Sequence, residues 1–348
     1  PILCLYMTEE IDAVIFDNVE ESIKTVVIED DLDYSVKQLD GLGAVTEKKL
    51  MAFGVSTLYD LCVRGSYEIQ QLTGATKEKA DEWVYKAKTM LEEKGYIRKT
   101  NMKVSELMRY QQNYEMLKIN VPEIDAMFGG GLKPESLYEI YGEFGSGKTQ
   151  FCYSLTAETI AKNDKVIWID CEDTFKPKRL VEILLARELV PDEETAIDLL
   201  DNITYLYTPN TENLMGTVNN LTKLMLDDRP KLVVIDGAIG QFREEYLGRG
   251  TLAARQNQIA RLMTHLKNIT FYFSCVILFT NQVQTDPSIM FGDPIKPIGG
   301  NVVGHASTYR VYFKKSGKKR IARMVDSPED PTQDIQFSLN TKGIDVPE

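Results

Sequence analysis

Residues 142–150 read G-E-F-G-S-G-K-T-Q, the spacing of a loop that grips phosphates. Gly142, four intervening residues and then Gly147, Lys148 and Thr149 let backbone N–H groups close around an anion, bring an ammonium to its outer oxygens and set a hydroxyl beside Mg²⁺. Such a loop must follow a strand and open a helix; L-Y-E-I-Y (137–141) precedes it, and the helix begins near Lys148. Three more strand ends carry suitable groups. L-V-V-I-D (232–236) sets Asp236 where a carboxylate orients Mg²⁺ through water. W-I-D-C-E-D-T-F (168–175) ends on three acids, of which Glu172 is the candidate to position an attacking water or take its proton. T-N-Q-V (280–283) offers the uncharged amide of Gln282, suited to sensing a terminal phosphate. Spacing alone leaves open that Glu172 and Gln282 are ordinary surface polar groups.

Positioning these groups requires a sheet. From residue 121 onward, apolar strands at 137–141, 166–170, 203–207, 232–236 and 276–280 alternate with helical stretches, which implies a largely parallel sheet covered on both faces. Segments 307–314, 319–325 and 334–339 read as antiparallel additions at one end. Residues 95–120 form a polar connector. Before it, 36–94 reads as a compact helical module punctuated at Gly41, Gly43, Gly54, Gly65 and Gly74. Within that module G-A-V-T-E-K (43–48) and G-A-T-K-E-K (74–79) form a weak repeat, each copy setting a glycine turn just before a helix whose first N–H groups accept phosphate oxygens. L-D-G-L-G-A (39–44), with Gly41 and Gly43, resembles the hairpin of a helix-hairpin-helix module, a non-specific DNA backbone binder. A glycine-capped domain that only packs or meets proteins is the alternative.

The 348 residues are 43% hydrophobic, enough for one large core and a smaller domain. Five cysteines without a C-x-x-C pair and only two histidines make a zinc cluster unexpected and a reduced, cytoplasmic setting the expectation. No apolar run is long enough for a membrane span, and residues 1–6 lack the pattern of a signal peptide. The net charge of −12 is unevenly placed. Residues 8–33 hold ten acids against Lys24 and read as a mobile acidic tail that spans, with its flanks, 1–35. Residues 310–323 hold seven bases and no acid. Whether that hairpin holds DNA or is merely solvated is left open.

In this order the elements resemble the RecA-like strand-exchange recombinases, most closely the archaeal RadA group, from residue 36 to the end. The most specific segments lie outside the nucleotide motifs: F-R-E-E-Y-L-G-R-G-T-L-A-A-R-Q (242–256) and T-N-Q-V-Q…F-G-D-P…P-I-G-G-N…H-A-S-T-Y-R (280–310) look like the two DNA-binding loops and their frames. The resemblance implies an α/β, RecA-like core at 121–348 with a largely parallel central sheet, preceded by a small all-α helix-hairpin-helix domain and a linker carrying a polymerisation segment. It implies ATP and Mg²⁺ as cofactors, with K⁺ as a further cation. Gly142, Glu143, Phe144, Gly145, Ser146, Gly147, Lys148 and Thr149 would bind the triphosphate, Thr149 and Asp236 would serve the metal, and Glu172 would be the catalytic carboxylate. Arg179 would pack on adenine and Gln282 would sense the γ-phosphate. Arg243 and Arg249 would belong to the first DNA loop, and Gly299, Gly300 and Asn301 would end the second. Asp326 and Pro328 match a cap placed over a neighbour's ATP, and Phe144 and His305 a pair that couples nucleotide state across the interface.

The implied partners are single- and double-stranded DNA, further copies of the chain in a helical filament or ring, and recombination mediators, with no membrane. Two positions depart from the family pattern. Asn101-Met102-Lys103-Val104 stands where relatives carry a Phe-x-x-Ala docking segment, so either Met102, Val104 or Leu107 substitutes or polymerisation is weak. Gly237 stands where relatives carry a hydroxyl residue, so one hydrogen bond near the Mg²⁺ shell is expected to be missing. The activity implied is ATP-dependent strand exchange in recombinational repair. A non-filamenting regulatory paralogue is the second reading, and a ring-forming helicase or clock-type ATPase the third.

Overall fold

The structure, a computed structural model, describes residues 34–246, 248–285 and 295–347, with the side chain of Arg249 outside the description. The acidic stretch 8–33, residues 1–6 and the F-G-D-P segment at 291–294 therefore lie outside the described residues.

Two of the three N-terminal helices begin where the sequence supplies a side-chain cap. After a single 3-10 turn at Val36–Gln38 come α1 (Ala44–Ala52), α2 (Leu58–Thr73) and α3 (Lys77–Glu93). Thr57 and Asp60 cap α2 reciprocally, and the Thr76 side chain caps α3. The two G-A-x-x-E-K copies consequently differ. Gly43 is the N-cap of α1, whereas Gly74 ends α2 with φ 71° and α3 starts only at Lys77. A glycine turn directly before a helix occurs in the first copy alone, because the Thr76 hydroxyl accepts from Lys79 N and takes the cap that glycine has no atom to fill. The connector is also more ordered than its polarity suggested: α4 (Val104–Gln112) occupies its middle.

The core opens with α5 (Pro122–Met127) and β1 (Ser136–Gly142), and continues through α6 (Lys148–Ile160), β2 (Val166–Asp170), α7 (Pro177–Ala186), α8 (Glu193–Leu199) and β3 (Ile203–Tyr207). It proceeds with α9 (Thr211–Asp228), β4 (Leu232–Asp236), α10 (Gly240–Glu245), α11 (Leu252–Phe273) and β5 (Val276–Asn281). The last part comprises β6 (Val283–Thr285), β7 (Ile295–Pro297), α12 (Gly300–Ala306), β8 (Tyr309–Ser316), β9 (Lys319–Asp326), β10 (Asp334–Asn340) and β11 (Gly343–Asp345). One sheet runs in the order β11-β10-β9-β8-β1-β5-β4-β2-β3. Strands β1, β2, β4 and β5 are buried at every position, as expected of β-branched runs packed on both faces. Separate apolar clusters cover the two faces, and a third fills the N-terminal module.

One expectation needs correction. The segment 307–314 is not simply an antiparallel addition: β8 pairs in parallel with β1, with Gly142 opposite Phe313, and only then turns back antiparallel into β9 and β10. The crossover through α11, β5 and α12 brings the chain back to the free edge of β1 in the direction it left. The strand bearing the phosphate loop is thus central.

The N-terminal module is pinned to the core. Glu68 on α2 accepts from Arg64 (2.9 Å), from Arg261 of α11 (2.6 Å) and from His265 Nε2 (2.8 Å). Burial raises this carboxyl, but the bonds and charges of His265 and Arg261 outweigh it and hold Glu68 down at about 2. Tyr59 stacks on Phe273 at 4.7 Å between ring centres. No helix of the described residues is long and apolar enough to cross a membrane.

Candidate functional site

The phosphate-loop residues sit where β1 ends and α6 begins. The tight path excludes side chains: a Cβ on Gly142 would collide with the carbonyl oxygen of Phe313, and Gly145 and Gly147 hold φ of 70° and 108°. Lys148 donates to the carbonyls of Gly142 (2.9 Å) and Glu143 (3.1 Å). Burial pushes its ammonium down, against the pull of Glu172 and Asp236. A cleft of about 490 Å³ opens over the loop, lined among others by Phe144, Thr149, Glu172, Arg179, Asp236 and Leu339, a size suited to a small-molecule ligand.

Asp236 is the buried hub. It accepts from Thr149 Oγ1 (2.9 Å) and Thr280 Oγ1 (2.6 Å). Burial pushes its carboxyl up to about 6, and the two hydroxyls oppose that rise. The Thr280 hydroxyl in turn accepts from Gly237 N (2.8 Å). Thr280 on the adjacent strand thus places a hydroxyl between Asp236 and the backbone of Gly237, the residue that carries none of its own. Gly237 has φ 90°, and a Cβ there would lie 2.6 Å from Glu172 Cγ. Lack of a side chain at 237 is what gives Glu172 its room.

Glu172 is exposed and accepts from Gln282 Nε2 at 2.9 Å. Its loop is held from below by Asp170, fully buried, whose carboxylate accepts from the backbone N of Glu172 (3.0 Å) and Phe175 (2.9 Å). Gln282 also lies beside Gly240, the first residue of α10, since a Cβ on Gly240 would be 3.7 Å from its amide nitrogen. Arg179 is clamped edgewise by Gln150 Oε1 (3.0 Å) and the carbonyls of Asn340 (2.6 Å) and Thr341 (3.2 Å). Its position over the cleft is thereby fixed.

An ATP–Mg²⁺ pair fits this chemistry. The buried Ser146 hydroxyl inside the loop has no partner among the described residues, and Thr149 with Asp236 offers the hard oxygen donors that Mg²⁺ takes.

Of the residues expected at DNA, Arg243 is exposed on α10 and Arg249 begins a 3-10 turn at Arg249–Thr251. Gly299 caps α12 with φ 93°, followed by Gly300 and an exposed Asn301. The second loop leaves through β6 and returns through β7, which pair with each other. Gly41 and Gly43 are exposed at the start of α1, which has no side-chain cap. Asp326, Pro328 and His305 are exposed and do not line the cleft of their own chain, whereas Phe144 lines it and is 93% exposed.

Residues the motifs did not single out hold this frame together. Asn281 donates to Ile298 O (2.8 Å) and to Glu139 Oε1 (2.7 Å), fastening the return arm of the second loop to β1. Glu139, wholly buried, is balanced by Arg310 (2.7 Å). Gln241 on α10 donates to Cys171 O (3.0 Å), tying the first loop's helix to the Glu172 turn. The signal available was their place beside Gln282, Tyr138 and Phe242 in polar breaks of apolar runs.

Comparison with known proteins adds the kinship. Residues 112–347 match the family model described as Rad51. A protein of Cenarchaeum symbiosum named DNA repair and recombination protein RadA is 39% identical over 90% of this chain and 79% of its own length. Proteins of the same name from Methanocorpusculum labreanum (35% identical, 89% of this chain, 98% of theirs) and Methanoculleus marisnigri (33%, 90% and 98%) are similar throughout.

Proposed function

Because the chain belongs to the Rad51 family, we propose that it is an ATP-dependent recombinase that assembles on single-stranded DNA, pairs it with a homologous duplex and exchanges strands in recombination and repair. The observation that carries this reading is the position of Gln282: its amide bonds Glu172, it adjoins the start of α10, and the arm of the second loop begins at the next residue. One side chain therefore bonds the carboxylate assigned to hydrolysis and lies beside the roots of both proposed DNA loops.

In this mechanism the loop 142–149 grips the triphosphate and Lys148 leaves its carbonyl partners for the outer oxygens. Thr149 and Asp236 would hold Mg²⁺, which would supply neutralisation of phosphate charge there. Glu172 orients the attacking water, and Asp170 keeps that carboxylate in place. Gln282 donates either to Glu172 or to the terminal phosphate, and its choice shifts the loops that hold DNA. Arg243 and Arg249 neutralise backbone phosphates without reading bases, as homology search by base pairing requires. The module at 36–94 supplies a second backbone contact through Gly41 and Gly43. Asp326 and Pro328 act on the nucleotide of the next subunit, with K⁺ as a further cation, and Phe144 and His305 meet across that interface. Loading mediators and a place with the DNA in the cytoplasm belong to the same proposal.

Assembly needs an anchor in place of the missing Phe-x-x-Ala segment. Val104 (81% exposed) and Met108 (60% exposed) stand one turn apart on α4 and supply an apolar pair. The test is negative-stain microscopy with single-stranded DNA, Mg²⁺ and a slowly hydrolysed ATP analogue. Filaments that require nucleotide support the proposal. Small particles with and without nucleotide move the regulatory paralogue, favoured by Asn101, to first place.

A further inference from the structure

We infer that the basic hairpin at the β8–β9 turn belongs to the nucleotide site, with Lys315 supplying a second cation in cis for the triphosphate and Arg320 bracing the phosphate loop. The inference rests on the nucleotide-binding reading of that loop. Of the seven bases in 310–323, two are consumed by structure: Arg310 pairs with the buried Glu139 (2.7 Å) and Arg323 with Asp334 (2.6 Å). Five remain. Among them Arg320 Nε donates to Gly145 O at 3.3 Å, and Lys315 Nζ lies 3.2 Å from where a Cβ on Gly145 would be.

The strand geometry explains this proximity. β8 runs parallel to β1 with Phe313 opposite Gly142, then continues as β1 gives way to the phosphate loop. Alternation puts Lys315 on the same face as Phe313, whose ring packs against Phe151 of α6. Lys315 is directly opposite Arg320 in the β8–β9 register, so both project beside the loop.

Like charges directly opposite on one face destabilise a ladder, and Lys148 adds a third cation. The Lys315 charge reaches Lys148, contributing to the lowering of its ammonium. Among the described residues no ion pair neutralises Lys315. A polyanion held by the loop relieves all three. DNA is the poorer candidate for Lys315, because β1 lies between β8 and the strands β5 and β4 from which both DNA loops spring.

The experiment compares Lys315→Ala, Lys315→Gln and the hairpin-tip control Lys318→Ala in the full chain. Fluorescence titration with a labelled, slowly hydrolysed ATP analogue and Mg²⁺ is read beside the salt dependence of single-stranded DNA binding. Both Lys315 variants are expected to lose about tenfold in analogue affinity, the loss of one charge-assisted contact, with the DNA salt slope unchanged and Lys318→Ala near the parent. Unchanged analogue affinity, or a reduced salt slope without loss of nucleotide, overturns the inference. Lys148→Ala separates the two levels: if it too binds the analogue normally, the nucleotide reading of the loop has failed, not the role of Lys315 alone.

Discussion

The phosphate loop at 142–149 and the hairpin at 39–44 both turn on glycine and both open a helix with no side-chain cap, yet the glycines answer to different constraints. At Gly142 a methyl group collides with Phe313, and at Gly147 it presses on Phe337 at 3.3 Å. At Gly43 it meets nothing within 4 Å, at an ordinary φ of −71°. Strands β8 and β10, packed from outside, shape the first loop into a mould for one anion. The second is held by Lys86, which donates to Asp40 O at 3.3 Å, and by the buried Leu39, but stays open at Gly43, which on the proposed reading suits phosphates that recur along any nucleic acid. On the proposed reading, selectivity for a small ligand comes from the close packing behind the first loop, and indifference to sequence from the open space around Gly43.

The most severe way to challenge this contrast is Lys148→Ala, which removes at least two charge-assisted contacts and should cost on the order of 100-fold or more in nucleotide affinity. A titration showing tight binding would break the comparison at its first term. Next is Gly142→Ala: overpacking against Phe313 should destabilise the core by roughly 1–3 kcal/mol, seen as a lower Tm together with weaker nucleotide binding. Gly237→Ala should slow ATP turnover by about tenfold by displacing Glu172, as removal of a transition-state contact does, with KM little changed. In a Glu172→Ala background the same substitution should slow it no further; an equal additional loss would mean that backbone strain, not Glu172, is responsible.

Arg243→Ala combined with Arg249→Ala should flatten the salt slope of single-strand binding by roughly 0.7 per arginine and leave nucleotide affinity intact. The smallest effect is expected at Gly43→Ala, about 0.5 kcal/mol in capping and less than about twofold in DNA affinity. A large loss there would show that the hairpin, too, is a mould.

The legible part of the site was the part written in consecutive residues. Gly142–Thr149, Asp236 and Glu172 sit at or just past strand ends, and the carboxyl ends of parallel strands all lie on one edge of the sheet. Thr280, Asn281 and Glu139 were not legible because their roles depend on β5 lying between β1 and β4, which alternating patterns do not encode. Lys315 stayed ambiguous for a similar reason: seven clustered bases do not reveal that β8 joins β1 in parallel. The helix in the connector escaped because none of its residues is fully buried: only Leu107 and Tyr110 are half-buried, too short an apolar stripe to stand out in a polar segment. In the repeat, one threonine outweighed four shared letters.

The place of β1 between β5 and β8 also orders the making of the protein. Tyr138 pairs with Leu278 on one side and Tyr309 on the other, both far downstream. A growing chain exposes G-E-F-G-S-G-K-T long before Tyr309–Ser316 leaves the ribosome, and until then one edge of β1 is open and Gly142 lacks the carbonyl that shapes it. The phosphate loop therefore takes its final shape only after β8 has been made and has paired with β1.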